Sequence, residues 1–368
     1  GYLVGDLRLE FDEFGNIKNN YKFNGLVREG KVSLFKKYNL SKIDFIFKID
    51  KDDLIFNDIK FLLNKNDILI PELIIAKQNN DHSISGIINT KNTKLLESDI
   101  NNFIKDDFLK SNIKDISFNS KNNFKFKINK KFKIKNLDIK SNINLENLKL
   151  KNSLKLKDFF PEIKKDIIFK DHKIKLEYKK NNLSINGEGE VLLQSKVDKI
   201  NYEIYKIKNE LKFDTILNIS NNPFEINFLN YKKNKETDIK LILKGKRKIK
   251  EKLIFDAISL KEKDNIFSIK NLVISKNNKI NDIENININY IDKYNFKNKL
   301  KITKKNQDYL ISGKSFNIDY IVDELINSKN NKKLEFFDKK FKFIFDIKKI
   351  YLDENNNIDN LKGFLSLN

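Results

Sequence analysis

Phe124-Lys125-Phe126-Lys127-Ile128 alternates apolar and basic side chains residue by residue. In an extended strand successive side chains point to opposite faces, so such a run makes one greasy face and one wet face. The same beat recurs at Ile239-Lys240-Leu241-Ile242-Leu243 and at Ile286-Asn287-Ile288-Asn289-Tyr290, and it persists over most of the 368 residues. Asparagine-rich segments at 79–81, 121–123, 180–182, 221–223, 276–278 and 355–357 read as turns. Asn tolerates the left-handed backbone conformation and hydrogen-bonds its own chain, so it can replace Gly in hairpin loops. The stretch 171–193 reads as one hairpin, with Ile174, Leu176 and Tyr178 running out and Leu183 and Ile185 running back.

Three segments break the strand period. Ile100, Phe103, Ile104 and Phe108 have helical spacing within 97–109, behind Ser98 as N-cap. Ile318, Ile321, Val322, Leu325 and Ile326 repeat that spacing within 317–327, and Pro161 suggests a short helix over 158–168. Apolar-Ser-Gly motifs at 83–86 and 310–313 precede the first and last of these helices, and Leu183 to Gly187 is a partial third copy.

No Gly/Ser-rich or Pro-rich linker interrupts the chain, which has only three prolines. One elongated, repetitive β region over 1–368 is therefore expected rather than separate globules. About two dozen strands at ~4.8 Å each make a ribbon on the order of 115 Å, too large to stay flat and open. The expected architecture is mainly β: a long, curled antiparallel sheet forming an elongated hydrophobic groove, with two or three short helices.

The net charge of +22 invites a nucleic-acid reading. Against it, only Arg8, Arg28 and Arg247 among the 73 basic residues are arginine, the preferred fork for phosphates and base edges. The lysines are spread over the solvent positions of nearly every strand, where they also protect strand edges. Lys and Phe alternate onto opposite faces, whereas a base-stacking platform needs both on one side. No nucleic-acid partner is expected.

Catalytic chemistry is missing too. His82 and His172 lack a metal-site pattern, Gly187-Glu188-Gly189 is too short to cradle a phosphate, and Asp52-Asp53 and Asp106-Asp107 sit in solvated settings. No nucleophile elbow, P-loop or dinucleotide fingerprint occurs. The expectation is no enzyme, no metal and no cofactor. There is no Cys, hence no disulfide, and no Met even at position 1, which reads as an internal piece of a longer chain. No run within it is long enough to span a membrane.

Leu54 to Phe61, then Ile68-Leu69-Ile70-Pro71, then His82-Ser83-Ile84-Ser85-Gly86 form a strand, a return strand and a strand ending in apolar-Ser-Gly. This resembles the unit of the AsmA-like superfamily, the TamB/YhdP-type bridge-like lipid transport proteins. Residues 296–325, with Leu310-Ile311-Ser312-Gly313 leading into a helix, are similar. The Arg-poor, Lys/Asn/Ile-rich composition resembles that of AT-rich marine alphaproteobacteria. The resemblance implies a periplasmic β-groove anchored in the inner membrane by a segment outside this piece, moving phospholipid towards the outer membrane. It brings no catalytic residues.

On this reading acyl chains lie against the strictly alternating residues: Phe124, Phe126, Ile128, Ile174, Leu176, Tyr178, Leu183, Ile185, Ile239, Leu241, Leu243, Ile286, Ile288 and Tyr290. Two rivals stand beside it, a structural or adhesin-like β-rich envelope protein without lipid cargo and a basic nucleic-acid-binding protein.

Overall fold

The computed structural model describes residues 1–18, 20–34, 38–103, 112–153, 156–248, 252–277, 279–320, 322 and 341–367. The chain is mainly β and divides into two units, the first comprising Gly1–Lys151 with Phe169–Gly187 and the second Asn152–Ile168 with Glu188–Asn368. The large sheet is mixed and does not close on itself.

In the first unit β1 (Tyr2–Arg8), β2 (Lys22–Leu34), β3 (Tyr38–Asp50), β4 (Asp53–Leu63), β5 (Asn66–Gln78) and β6 (Asp81–Leu96) form an antiparallel meander. Helix α1 (Glu97–Phe103) follows, and β7 (Ile113–Asn129) and β8 (Ile134–Lys151) extend the meander. The predicted helix over 97–109 is thus helical at 97–103, and 104–109 lie outside the described residues. β9 (Asp166–Lys179) and β10 (Asn182–Leu192) make the hairpin expected over 171–193.

The hairpin turns explain why so little Gly is needed. Asn64-Lys65 and Lys180-Asn181 each link two strands with both residues at positive φ, 47° and 73° in the first and 49° and 62° in the second. That is the geometry whose twist matches paired strands. A second device recurs in longer loops. A carboxylate or amide Oδ1 accepts backbone N–H bonds from two residues further on: Asp12 from Phe14 and Asn16, Asn129 from Lys131 and Lys133, Asp292 from Tyr294 and Phe296. In the exposed Asp12 loop the hydrogen bonds from Asn16 hold the carboxyl below its usual range.

In the second unit the hydrogen-bonded order is β11 (Asp198–Ile207), β12 (Glu210–Ile219), β15 (Ile239–Lys248), β16 (Leu253–Glu262), β17 (Asn265–Ile274), β19 (Asn285–Ile291), β20 (Lys297–Lys305), β21 (Asp308–Asn317), β22 (Phe341–Tyr351) and β23 (Asn357–Leu367). The short β18 (Ile280–Asp282) also pairs with β17, while β13 (Glu225–Ile226) and β14 (Tyr231–Lys232) form a separate two-stranded sheet.

Several expectations need correction. The sheet is not purely antiparallel, because β21 and β22 are parallel. Parallel neighbours need a crossover of a dozen or more residues, and 318–340 supply that length. The helix expected over 158–168 does not form: a tight turn at Phe159 and Phe160 is followed by another at Ile163, and β9 begins at Asp166. Pro161 helps to stop any helix there, since Phe160 precedes it and is disfavoured from helical geometry. Of the 317–327 helix only its first turn is described, with the Val322 N–H donating to the Ile318 carbonyl at 2.9 Å; Ile321 and 323–327 lie outside the described residues. Residues 121–123 are not a turn but the interior of β7, where the Asn122 amide donates to the Ile88 carbonyl and the Ser120 hydroxyl. The apolar-Ser-Gly motifs also sit inside strands, β6 and β21, rather than at strand ends.

Glycines stand opposite aromatic rings across the ladder: Gly25 faces Phe47, Gly86 faces Phe124 and Gly245 faces Phe213. The ring lies over the bare backbone and occupies the space a side chain would take. A Cβ at Gly245 would collide with the Ile254 carbonyl and the Phe213 ring. Gly245→Ala is therefore expected to cost about 1–3 kcal/mol, as overpacking does. A urea titration tests it, and an unchanged midpoint would mean the strands part freely at that bulge.

Candidate functional site

Registered pairing carries each strand's alternation across the sheet. In the first unit one row runs Gly5–Gly25–Phe47–Phe56–Leu73–Gly86–Phe124–Ile139 over eight strands. Two residues along, on the same face, a parallel row runs Leu7–Phe23–Ile49–Leu54–Ile75–Ile84–Phe126. Phe rings meet within this face: Phe23 with Phe47 at 4.9 Å, Phe45 with Phe56 at 5.7 Å and Phe124 with Phe126 at 5.9 Å.

Ion pairs mark the other face. Lys140 lies 3.8 Å from Glu177 and Lys179 lies 3.1 Å from Asp138. Alternation then sends Leu176 and Tyr178 to the face of Ile139. The first unit thus brings Phe124, Phe126, Leu176 and Tyr178 onto one apolar side, and these, with Ile128, Ile174, Leu183 and Ile185, are all half-buried. Among its described residues only Phe47, Ile59, Ile100, Ile113 and Leu145 are fully buried apolar side chains.

The second unit repeats the plan over ten strands: Ile200–Leu217–Leu241–Leu260–Phe267–Ile288–Leu300–Gly313–Ile347–Leu361. A second row, Leu243–Ile258–Ile269–Ile286–Ile302–Ile311–Phe345, lies two residues away on the same face. Here burial grades along the strands. Leu243 and Ile286 are half-buried, Ile288 is buried, and Ile239 and Tyr290 are completely enclosed.

The enclosure has a cause that the alternation could not reveal. Residues 220–238, the insertion carrying β13 and β14, fold onto that end of the face. Tyr231 packs against Phe267 at 4.8 Å and Tyr290 at 5.9 Å, and the Tyr290 hydroxyl donates to the Leu229 carbonyl at 2.7 Å. Beneath it, the buried Glu262 carboxylate accepts from the Tyr231 hydroxyl at 2.7 Å, the Asn234 N–H at 2.9 Å, the Asn265 amide at 3.0 Å and the Thr237 hydroxyl. Burial pushes the Tyr231 and Tyr290 hydroxyls above their usual range, reinforced by Glu262 and Asp292 respectively. For Glu262 itself burial raises the pKa, but the four hydrogen bonds outweigh it and hold the carboxyl below its ordinary range. Asp292 is likewise buried and satisfied, by the amides of Asn298 and Asn317 besides its loop N–H groups.

The sequence signal for this plug is present in hindsight: Phe224, Phe228 and Tyr231 with Asn222, Pro223 and Asn230 mark an insertion that breaks the strand beat. What it covers is not encoded locally. Among the described residues no group of three or more His, Cys, Asp or Glu is placed to hold a metal ion, and no helix is long and apolar enough to cross a membrane. No protein-family model, curated protein or solved structure matches this chain.

Proposed function

We propose that the protein holds the acyl chains of phospholipid on the registered apolar face of its strands, as a periplasmic β-groove segment serving inner-to-outer membrane lipid transport. The observation that carries this reading is that, of the two apolar rows in the first unit, Phe47 alone is buried and the rest stay half-buried or exposed. A packed sheet face would bury such residues; contiguous apolar area left accessible marks a binding surface. An acyl chain laid along Phe124, Phe126, Leu176 and Tyr178 would remove that area from water at ~25 cal/mol per Å². The face repeats in kind from strand to strand, so a chain could slide along it with little change in free energy. The resemblance to the AsmA-like superfamily supports the envelope placement.

The test is recovery of lipid with the purified protein, quantified by mass spectrometry after extraction. Phospholipid is expected to co-purify, and Phe124→Asp with Phe126→Asp is expected to reduce the recovered amount at least about fivefold, because a charge on the contact face opposes apolar burial. Protein free of lipid, or a double variant as loaded as the parent, would overturn the reading. A dry particle would favour the structural β-rich envelope protein, a reading that the buried row through Leu217, Leu260, Phe267, Ile288 and Leu300 supports for the second unit.

A further inference from the structure

The lysine face of the first unit opens, beside the turns at the end of β7, the start of β8 and the end of β9, into a cleft of about 500 Å³. A β-bulge shapes it. Lys125 stands opposite Asp138 and Lys127 opposite Lys135, so Phe126 alone faces two residues, Asn136 and Leu137. Asn136 has a φ of 52°, the kind of excursion by which a bulge bends its strand and re-aims side chains.

Four lysines, Lys125, Lys127, Lys179 and Lys180, line the cleft beside one carboxylate residue, Asp138, and Phe126 and Leu137 complete its apolar part. That carboxylate is engaged by Lys179 at 3.1 Å. Lys135, opposite Lys127, pairs with Asp81 at 3.1 Å. Among the described residues Lys125, Lys127 and Lys180 have no carboxylate at ion-pair distance. Elsewhere in the unit Lys77 pairs with Asp52, Lys22 with Asp50 and Lys140 with Glu177; what sets Lys125, Lys127 and Lys180 apart is that they share one cleft. Like charges gathered without a counter-charge are unfavourable, and a concave basic wall concentrates anions. The amides of Asn136 and Asn181 add neutral donors to the same wall.

We propose that this cleft binds a phosphate monoester or inorganic phosphate. Three unpaired ammonium groups call for more than one negative charge, and a phosphate monoester carries about −1.5 to −2 at neutral pH with three acceptor oxygens. Lysine serves such a group as a point charge. The source is either a soluble phosphate or the head group of a phosphatidic-acid-type lipid. The site shares Phe126 with the proposed acyl-chain face but draws its charge from the lysines, so it does not depend on acyl chains binding there.

The experiment compares two triple variants of equal charge change. Lys125→Gln, Lys127→Gln and Lys180→Gln empty the cleft of its free cations; Lys297→Gln, Lys299→Gln and Lys301→Gln remove three exposed lysines of β20 as the control. Calorimetric titration with inorganic phosphate at low salt is expected to show binding weakened on the order of tenfold or more in the first triple, with the control within about twofold of the parent. Flotation with phosphatidylcholine vesicles, with and without phosphatidic acid, separates the sources: selective loss of flotation in the first triple assigns a lipid head group, and an effect on phosphate alone assigns a soluble one. Equal losses in both triples, or none in either, would overturn the proposal. If the first triple does not fold, Lys180→Gln alone, in the turn, is read by the same comparison against Lys299→Gln. Binding of the neutral dye Nile red reports on the apolar face, so failure of this site and failure of the acyl-chain reading give different results.

Discussion

Glu262→Ala is expected to destabilise the second unit by about 3–5 kcal/mol, the range for removing one partner from a buried charged network. The carboxylate is the shared acceptor of Tyr231, Thr237, Asn234 and Asn265, so its removal strands the buried Tyr231 and Thr237 hydroxyls and takes a partner from Asn234 and Asn265. It also unlatches the plug from the strand end that the plug seals. Urea denaturation followed by tyrosine fluorescence reads this directly, since eight of the twelve tyrosines belong to the second unit. A variant within about 0.5 kcal/mol of the parent, the range of neutral surface changes, would mean the plug is not held there.

The same residue sets a pH dependence. Because the folded pKa of Glu262 lies below its ordinary value, its contribution is fully present above the unfolded pKa and is lost as pH falls through the folded one. Asp198 runs the other way, since burial holds its carboxyl above the ordinary range despite bonds from Asn222 and Ser220. Asp282, where burial is outweighed by Lys304 and Tyr309 so that the carboxyl is held low, adds to the loss that Asp198 offsets. Stability of the parent should therefore decline below about pH 5, and that decline should be shallower in Glu262→Ala. Equal slopes for the two proteins would remove Glu262 as the cause.

The second large effect is a contrast between units. Ile288→Ala removes a buried side chain from a row packed between Phe267 and Leu300, at an expected cost of about 2–5 kcal/mol for the lost burial and the cavity left behind. Phe124→Ala removes a larger side chain, yet one only half-buried and stacked on Phe126, and about 1 kcal/mol is expected. Both positions follow the same alternation in the sequence. Their different costs, measured by chemical denaturation of the lipid-free protein, would separate a structural core from a surface kept for a ligand. If Phe124→Ala proves as costly as Ile288→Ala, the first unit is a packed sheet like the second.

Much of the fold was legible because strand formation is local. Period-two alternation needs no knowledge of distant residues, so the β9–β10 hairpin at Lys180-Asn181 and the strand pattern around Ile239 and Ile286 could be read directly. Local signals misled where tertiary pairing overrides them. The asparagine-rich turn chemistry at 121–123 was absorbed into β7 because neighbouring strands offered partners to Asn122, and the helical hint at Pro161 lost to two turns and a strand. A parallel β21–β22 pairing is likewise decided by where the chain returns, not by the composition of either strand.

The sequence by itself determined that the chain is made of strands with one apolar and one lysine-rich face, since side-chain direction in a strand depends only on residue parity. The tertiary structure alone decided what becomes of that face. Register lined up Phe124 with Gly86 and Ile288 with Leu300, and the folding back of 220–238 enclosed Ile239 and Tyr290 while Phe124 and Phe126 stayed half-open. Burial is a property of what packs above a residue, and nothing in the local alternation encodes that.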